Sequence, residues 1–419
     1  GGMAMLRVPQ RWAAAALAAV ATDPLLRRRR GWQAAAAAGP PPGSGAVGPA
    51  TAPTPRVPGV DGDGGARAGR GAALKHGPLR IFSGNAHPRL ARSIAAELGV
   101  PVSDASVGRF KCGEVNVTIN ESVRDCDVYV VQPTCNGGAG PQEHLIELLV
   151  MLDAIHRACP NRLTAVIPLF GYARQNAKDR SRSPITARLM TDLLHVAGAQ
   201  AVLTVELHAP QIQGFAAYPV DNASALSLLA QEVQSILAES GRSLEDVVVV
   251  SPDVNGTKRA SVLAKIFCAP LAIFSRQRRR ASEASEVDLV GEVAGKVCVV
   301  IDDIADTAET LVLAAARLRA RGATTVVGAC THGVLSEPAM ERISSSELEL
   351  LIITDTIPME EKAARCPKLR IVSVAPLLAD EIVRLHTGQG PITKDPSALL
   401  LPAPTGGGWR VRDEVRPSA

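Results

Sequence analysis

The chain has 419 residues, enough for two to three domains that each bury a core. Hydrophobic residues make up 46% and charged residues 21%, within the ordinary range for a soluble protein, and with only 3% aromatics the core must be aliphatic. The formal charge of +4 misleads, because residues 1–75 carry ten of the 45 Lys and Arg but three of the 41 Asp and Glu, leaving the rest acidic by three. That balance excludes a general nucleic-acid binder, which needs a basic face.

Residues 1–75 read as a separate object. An Ala-rich stretch at 5–22 suits a basic amphipathic segment; four arginines at 27–30, an alanine run at 34–38 and a Pro/Gly-rich tract at 39–71 follow. With acidic residues nearly absent, this composition predicts an organelle transit peptide and a disordered linker, plastid ahead of mitochondrion. A low-complexity extension on a cytoplasmic protein is the plainer alternative. The apolar part, 13–21, is too short to span a bilayer, so no membrane partner is expected.

From Leu79 onward, short apolar runs alternate with helical patterns. Runs at 79–82, 128–132, 164–168, 201–206, 247–251, 271–274, 297–301, 325–329, 348–353 and 369–374 predict strands. Segments at 142–157, 185–198, 223–238, 308–322 and 338–344 predict helices between them. Unbroken apolar strands alternating with helices imply an α/β fold with parallel sheets covered on both faces. The strands are too many for one sheet, so two similar domains are expected, at 79–225 and 226–390, with a disordered tail at 391–419. Eight cysteines are scattered without a CxxC pair, which argues against zinc, and Cys298 and Cys330 fall in apolar runs as buried thiols.

Residues 296–310 (KVCVVIDDIADTAET) carry the most chemical information. An apolar strand ends in Asp302 and Asp303, and a tight loop then enters a helix. Ligands of parallel α/β folds sit beyond the carboxyl ends of strands, and a helix N-terminus there suits phosphate. Paired carboxylates suit sugar hydroxyls, or a Mg²⁺ that the sugar also touches. The segment therefore predicts a pentose-phosphate cradle, with Asp302 and Asp303 on the sugar and Asp306, Thr307, Ala308, Glu309 and Thr310 around the phosphate.

IDDIADTAET resembles the phosphoribosyl-pyrophosphate (PRPP) loop of type I phosphoribosyltransferases and of the ribose-phosphate pyrophosphokinases, or PRPP synthetases. Further stretches are similar to the synthetases in particular: 108–134 (GRFKCGEVNVTINESVRDCDVYVVQPT), 166–189 (VIPLFGYARQNAKDRSRSPITARL), 202–222 (VLTVELHAPQIQGFAAYPVDN), 248–260 (VVVSPDVNGTKRA), 353–358 (ITDTIP) and 372–382. The resemblance runs in order from Leu79 to about Gly390. It implies two phosphoribosyltransferase-like domains, the last helix, near 377–386, returning to the first domain.

It also implies transfer of pyrophosphate from ATP to ribose 5-phosphate, giving PRPP and AMP for nucleotide biosynthesis. Phosphoryl chemistry of this kind relies on positioning and charge neutralisation. By resemblance, Arg174 and Gln175 bind ATP; Phe110, Gly113 and Glu114 reach the adenine of a neighbouring subunit, implying a homo-oligomer, a hexamer as in the family. His208 and Asp253 match the magnesium site, although imidazole is an unusual Mg²⁺ ligand and His208 then holds a metal-bound water instead. Arg276 and Arg278 fall at the catalytic loop positions that reach the triphosphate; the plainer reading of SRQRRR is a solvated basic turn.

The pattern breaks at several places. Glu309 stands where the family has Gly, adding a carboxylate beside a phosphate dianion. Arg276 replaces a Lys, Cys112 an Asp, Asn176 and Ala177 an Asp and a basic residue, and Glu206 an Asp. These departures support a second reading, a catalytically weak regulatory subunit assembled with an active paralogue. The retained His208, Asp253, Asp302, Asp303, Asp306 and Thr307 favour the enzyme.

Overall fold

The computed structural model describes residues 76–276 and 287–389. The proposed leader at 1–75, Arg278 and the tail at 391–419 lie outside the described residues.

The chain opens with β1 (Leu79–Ser83) and α1 (Pro88–Glu97), then a hairpin of β2 (Ala105–Arg109) and β3 (Val115–Ile119). β4 (Asp127–Val131), α2 (Pro141–Arg157), β5 (Arg162–Ile167), α3 (Thr186–Val196), β6 (Ala201–Val205) and β7 (Val220–Ala223) follow. These give an all-parallel five-stranded sheet in the order β1-β4-β5-β6-β7, with the antiparallel hairpin apart from it.

After α4 (Leu226–Glu239) come β8 (Val247–Ser251), α5 (Thr257–Phe267), β9 (Leu271–Arg276), β10 (Val287–Val290), β11 (Val297–Ala305) and α6 (Glu309–Ala320). β12 (Thr325–Gly333), α7 (Ala339–Ser344), β13 (Leu350–Thr354), α8 (Glu360–Arg365), β14 (Leu369–Val372) and α9 (Ala375–Thr387) complete the described chain. The second sheet has seven strands in the order β10-β9-β8-β11-β12-β13-β14, parallel except for the β9–β10 edge pair.

The unbroken apolar runs are explained by burial on both faces. Along β8 and β11, Val247, Val249, Val297, Val299 and Ile301 face the layer formed by α4 and α5. Their neighbours Val248, Val250, Cys298 and Val300 face the layer containing α6. The first sheet alternates likewise, Val128 and Val130 on one side and Tyr129 and Val131 on the other. Alternating side chains that are all apolar need two apolar coats, which is what helices on both faces supply.

The last helix does not stay with the second sheet. Ala375, Leu378 and Ile382 of α9 pack with Ile81 of β1 and with Leu90 and Ile94 of α1. Near its end His386 places Nδ1 2.8 Å from the fully buried Asp127, which also takes two hydrogen bonds from Arg162. A charge buried this deeply is tolerable only with partners of that kind. All eight cysteines are unpaired, Cys298 and Cys330 being buried as expected.

Candidate active site

β11 supplies the centre of the site. It is apolar through Ile301, outruns β8 after Val300, and carries Asp302 and Asp303 while still paired with β12; the strand ends at Ala305, a little later than the sequence suggested. Asp303 is 7% exposed, and its Oδ2 lies 2.6 Å from His208 Nδ1. Arg259 Nη1 stands 3.5 Å from Asp303 and 3.7 Å from Asp302. The Asp303 amide N–H donates to Asp302 Oδ1 at 2.9 Å, turning the first carboxylate back on the strand end.

The two carboxyls have opposite tendencies. Burial, and then the charge of Asp303, pushes Asp302 up. Burial also works to raise Asp303, but the His208 hydrogen bond and the Arg259 charge outweigh it and hold it below the usual carboxylate range. His208 is raised in turn, by that hydrogen bond against its own desolvation. The site therefore presents one anion already neutralised by the protein and one that a ligand can still stabilise.

Arg259 was not among the residues singled out from the sequence, although it lies in the 248–260 stretch that carries part of the resemblance. It sits in the first turn of α5, where a cation opposes the helix dipole, so an arginine there needs an anion nearby. Its side chain is 16% exposed and its Nε is buried without a hydrogen-bond partner among the described residues; the Asp pair answers its charge, with the buried Glu206 also within its field.

The loop expected to hold the pentose phosphate follows directly. Leu335 N–H donates to the Ala305 carbonyl at 3.0 Å, and Arg342 Nη1 to the Thr307 carbonyl at 3.1 Å. Ala308, the N-cap of α6, takes the left-handed conformation at φ 55° and is buried. Thr307, Glu309 and Thr310 are exposed at the helix start. Glu309 is therefore the first helical residue, and the residue with glycine-like backbone angles is Ala308. The Glu309 side chain is 65% exposed and lies 3.8 Å from Arg342. The expected close clash with a phosphate is thus answered by a cation and by solvent.

Of the residues expected to bind ATP, Arg174 reaches into this site. Its Nη1 is 2.6 Å from Asp306 Oδ2, across 132 positions of sequence. Burial works to raise Asp306, but hydrogen bonds from Ser336 and Arg174 hold it low. Gln175 is exposed beside Arg174. Phe110, Gly113 and Glu114 form the tip of the β2–β3 hairpin, with Phe110 54% exposed and Gly113 at φ 95°. Among the described residues no hydrogen bond or ion pair joins this tip to the Asp302–Asp303 centre.

Asp253 is exposed ahead of α5, and its Oδ1 accepts the Gly256 N–H at 2.8 Å. Among the described residues no group of three or more His, Cys, Asp and Glu is gathered to hold a metal. Glu206, at φ 42°, is directed to the start of α4, its Oε1 accepting from Ser224 Oγ at 2.5 Å and the Ala225 N–H at 3.1 Å. Arg276 ends β9; Arg278 is outside the described residues.

Parallel sheets with a carboxylate pair near the carboxyl end of a central strand, and a helix-entering loop after it, define a sugar-phosphate-binding α/β protein. Comparison with known proteins narrows this. Residues 79–198 match the model for the N-terminal domain of ribose phosphate pyrophosphokinase, and 247–391 that for the phosphoribosyl synthetase-associated domain. Ribose-phosphate pyrophosphokinase A of Dictyostelium discoideum is 46% identical over 74% of this chain and 96% of its own. The ribose-phosphate pyrophosphokinase of Xanthomonas axonopodis pv. citri is 49% identical, over 74% of this chain and 96% of its own. The crystal structure of phosphoribosylpyrophosphate synthetase from Mycobacterium smegmatis superposes with a TM-score of 0.67 at 40% identity, covering 74% of this chain and 98% of that one. The chain belongs to the ribose-phosphate pyrophosphokinase family.

Proposed function

We propose that this protein transfers the β,γ-pyrophosphoryl group of ATP to the 1-hydroxyl of ribose 5-phosphate. The hydroxyl oxygen bonds to the β-phosphorus, the bond from that phosphorus to the α,β-bridging oxygen breaks, and AMP leaves. The observation that carries the reading is the Arg174–Asp306 ion pair, which brings the segment expected to bind ATP against the loop expected to bind the pentose phosphate. Asp302 and Asp303 are suited to the ribose hydroxyls, and the exposed start of α6 to the 5-phosphate. Arg174 and Arg259 are suited to charge that develops on the triphosphate.

Mg²⁺ fits this site as a companion of the nucleotide. It usually takes one or two carboxylates, several waters and substrate phosphates in preference to a protein cage. Among the described residues one carboxylate oxygen of Asp253 has no hydrogen-bond donor, and His208, tied through Nδ1 to Asp303, suits a metal-bound water. When bound, the ion neutralises triphosphate charge.

The regulatory-subunit reading leaned on Glu309 and Arg276. Glu309 is solvated and faces Arg342, and relatives at 46–49% identity are named as pyrophosphokinases. The exposed Phe110 suits a contact to a neighbouring subunit's nucleotide, hence a homo-oligomer, with a hexamer as the working assignment. Residues 1–75 are proposed to direct import into a plastid; a fluorescent fusion of that segment that stays in the cytoplasm defeats this. Among the described residues no helix is long and apolar enough to cross a membrane. The functional test is formation of AMP and PRPP by purified protein given ATP, Mg²⁺ and ribose 5-phosphate.

A further inference from the structure

Gln175 is held by the first turn of α3. Thr186, the first residue of that helix, donates its hydroxyl to Gln175 Oε1 at 2.6 Å. The Ala187 N–H donates to the Gln175 backbone carbonyl at 3.2 Å. The opening N–H groups of a helix lack intrahelical acceptors and carry partial positive charge, so the amide oxygen is better placed there than the NH₂ group. Two independent features thus give the side-chain amide one sense. Its oxygen is engaged by α3, and the two Nε2 donors remain for a ligand.

We propose that Thr186 is a positioning residue for base selection. By holding Oε1, it makes Gln175 read a purine through N–H donors. Adenine, whose N1 is an acceptor, is thereby favoured over hypoxanthine or guanine, whose N1 carries a hydrogen. The proposal rests on the reading above that Gln175 meets the nucleotide base. A donor set against an N–H leaves both groups desolvated and unpaired, which is the strongest way a site rejects an analogue. Without the Thr186 hydroxyl the amide is free to turn and offer its carbonyl instead, so the discrimination falls.

Calorimetric binding of ATP and of ITP, each with Mg²⁺, to the full chain tests this without requiring turnover. Thr186→Val, nearly isosteric, should weaken ATP binding by about three- to tenfold and lower the ATP/ITP ratio of affinities by a similar factor. Thr186→Ser should keep the wild-type ratio, and ribose 5-phosphate affinity should stay within about twofold in both variants. An unchanged ATP/ITP ratio in Thr186→Val overturns the proposal, as does an equal loss of ATP, ITP and ribose 5-phosphate, which marks a structural effect. Gln175→Ala separates the two layers of the argument. If it leaves both ATP affinity and the ratio unaltered, the base contact itself is wrong; if it lowers the ratio while Thr186→Val does not, the base contact stands and the role given to Thr186 falls.

Discussion

Arg342 bridges the pentose-phosphate loop and its unusual carboxylate: one guanidinium nitrogen lies 3.1 Å from the Thr307 carbonyl and 3.8 Å from Glu309. Repulsion of a phosphate dianion by an unscreened Glu at about 4–5 Å would reach several kcal/mol at an effective dielectric near 20. A paired side chain 65% exposed to water escapes most of that. Glu309→Gly should therefore change the KM for ribose 5-phosphate by less than about threefold. Arg342→Met, which removes both contacts, should raise that KM by roughly tenfold, the loss of one charge-assisted hydrogen bond. Initial rates over a range of ribose 5-phosphate measure both. A large gain on Glu309→Gly alone would mean that the pair does not shield the phosphate.

The Asp pair should separate by ligand. Among the described residues Asp302 meets Arg259 and the neighbouring Asp303, so Asp302→Asn should weaken pentose-phosphate binding about tenfold or more while ATP affinity holds. Asp303→Asn removes the carboxylate partner of His208 and the nearer of the two that meet Arg259, so it should weaken ATP·Mg²⁺ binding as well. Calorimetry on the two variants reads this directly. Identical losses of both ligands in both variants would show that the pair is a structural unit.

His332 gives a pH-dependent stability. It is 1% exposed; Nε2 lies 3.1 Å from the carbonyls of Val205 and of Glu206, and Nδ1 2.9 Å from the Thr356 hydroxyl. Two carbonyls require the N–H on Nε2, so Nδ1 accepts from Thr356 and the ring is neutral. Burial lowers its pKa to about 4. Below the ordinary value of 6.5 the unfolded chain binds the proton and the folded one does not. Stability from this residue is therefore complete above about pH 6.5 and declines as pH falls towards 4, by on the order of 3 kcal/mol. Urea unfolding of wild type and His332→Gln at pH 7, 5.5 and 4.5 isolates the effect as the difference between the two. A difference that does not vary with pH contradicts it.

The hairpin tip predicts a shared site. Phe110→Ala and Arg174→Ala should each be nearly inactive as homo-oligomers. Co-assembled after mixing, they should regain activity that neither parent has, because some sites then combine an intact hairpin tip with an intact Arg174. Activity no higher than the sum of the parents would place Phe110 and Arg174 in the same subunit's site.

Much of this molecule was legible locally. Runs such as 247–251 and 297–301 have no polar residue to place at a surface, so strands buried on both faces followed at once. Asp302 and Asp303 stood out because two carboxylates follow such a run. The hairpin segment entered only through its resemblance, since Gly108 and the charged tip interrupt its alternation, and α1 was missed although Leu90, Ala91, Ile94 and Ala95 form a buried stripe with Arg89 and Arg92 on the exposed face. β4 lies one residue earlier than the apolar run at 128–132, because it begins with the charged Asp127. Asp127 is buried only because Arg162 and His386 meet it there. Partnerships spanning this much chain, like Arg174 with Asp306, leave no trace in local periodicity.

The decisive measurement is the nucleotide product formed from ATP, Mg²⁺ and ribose 5-phosphate by purified protein, resolved chromatographically over time. Pyrophosphoryl transfer predicts AMP and PRPP in equal amounts, neither formed when ribose 5-phosphate is omitted. ADP as the product, or no AMP from folded protein that binds both substrates, would contradict the account.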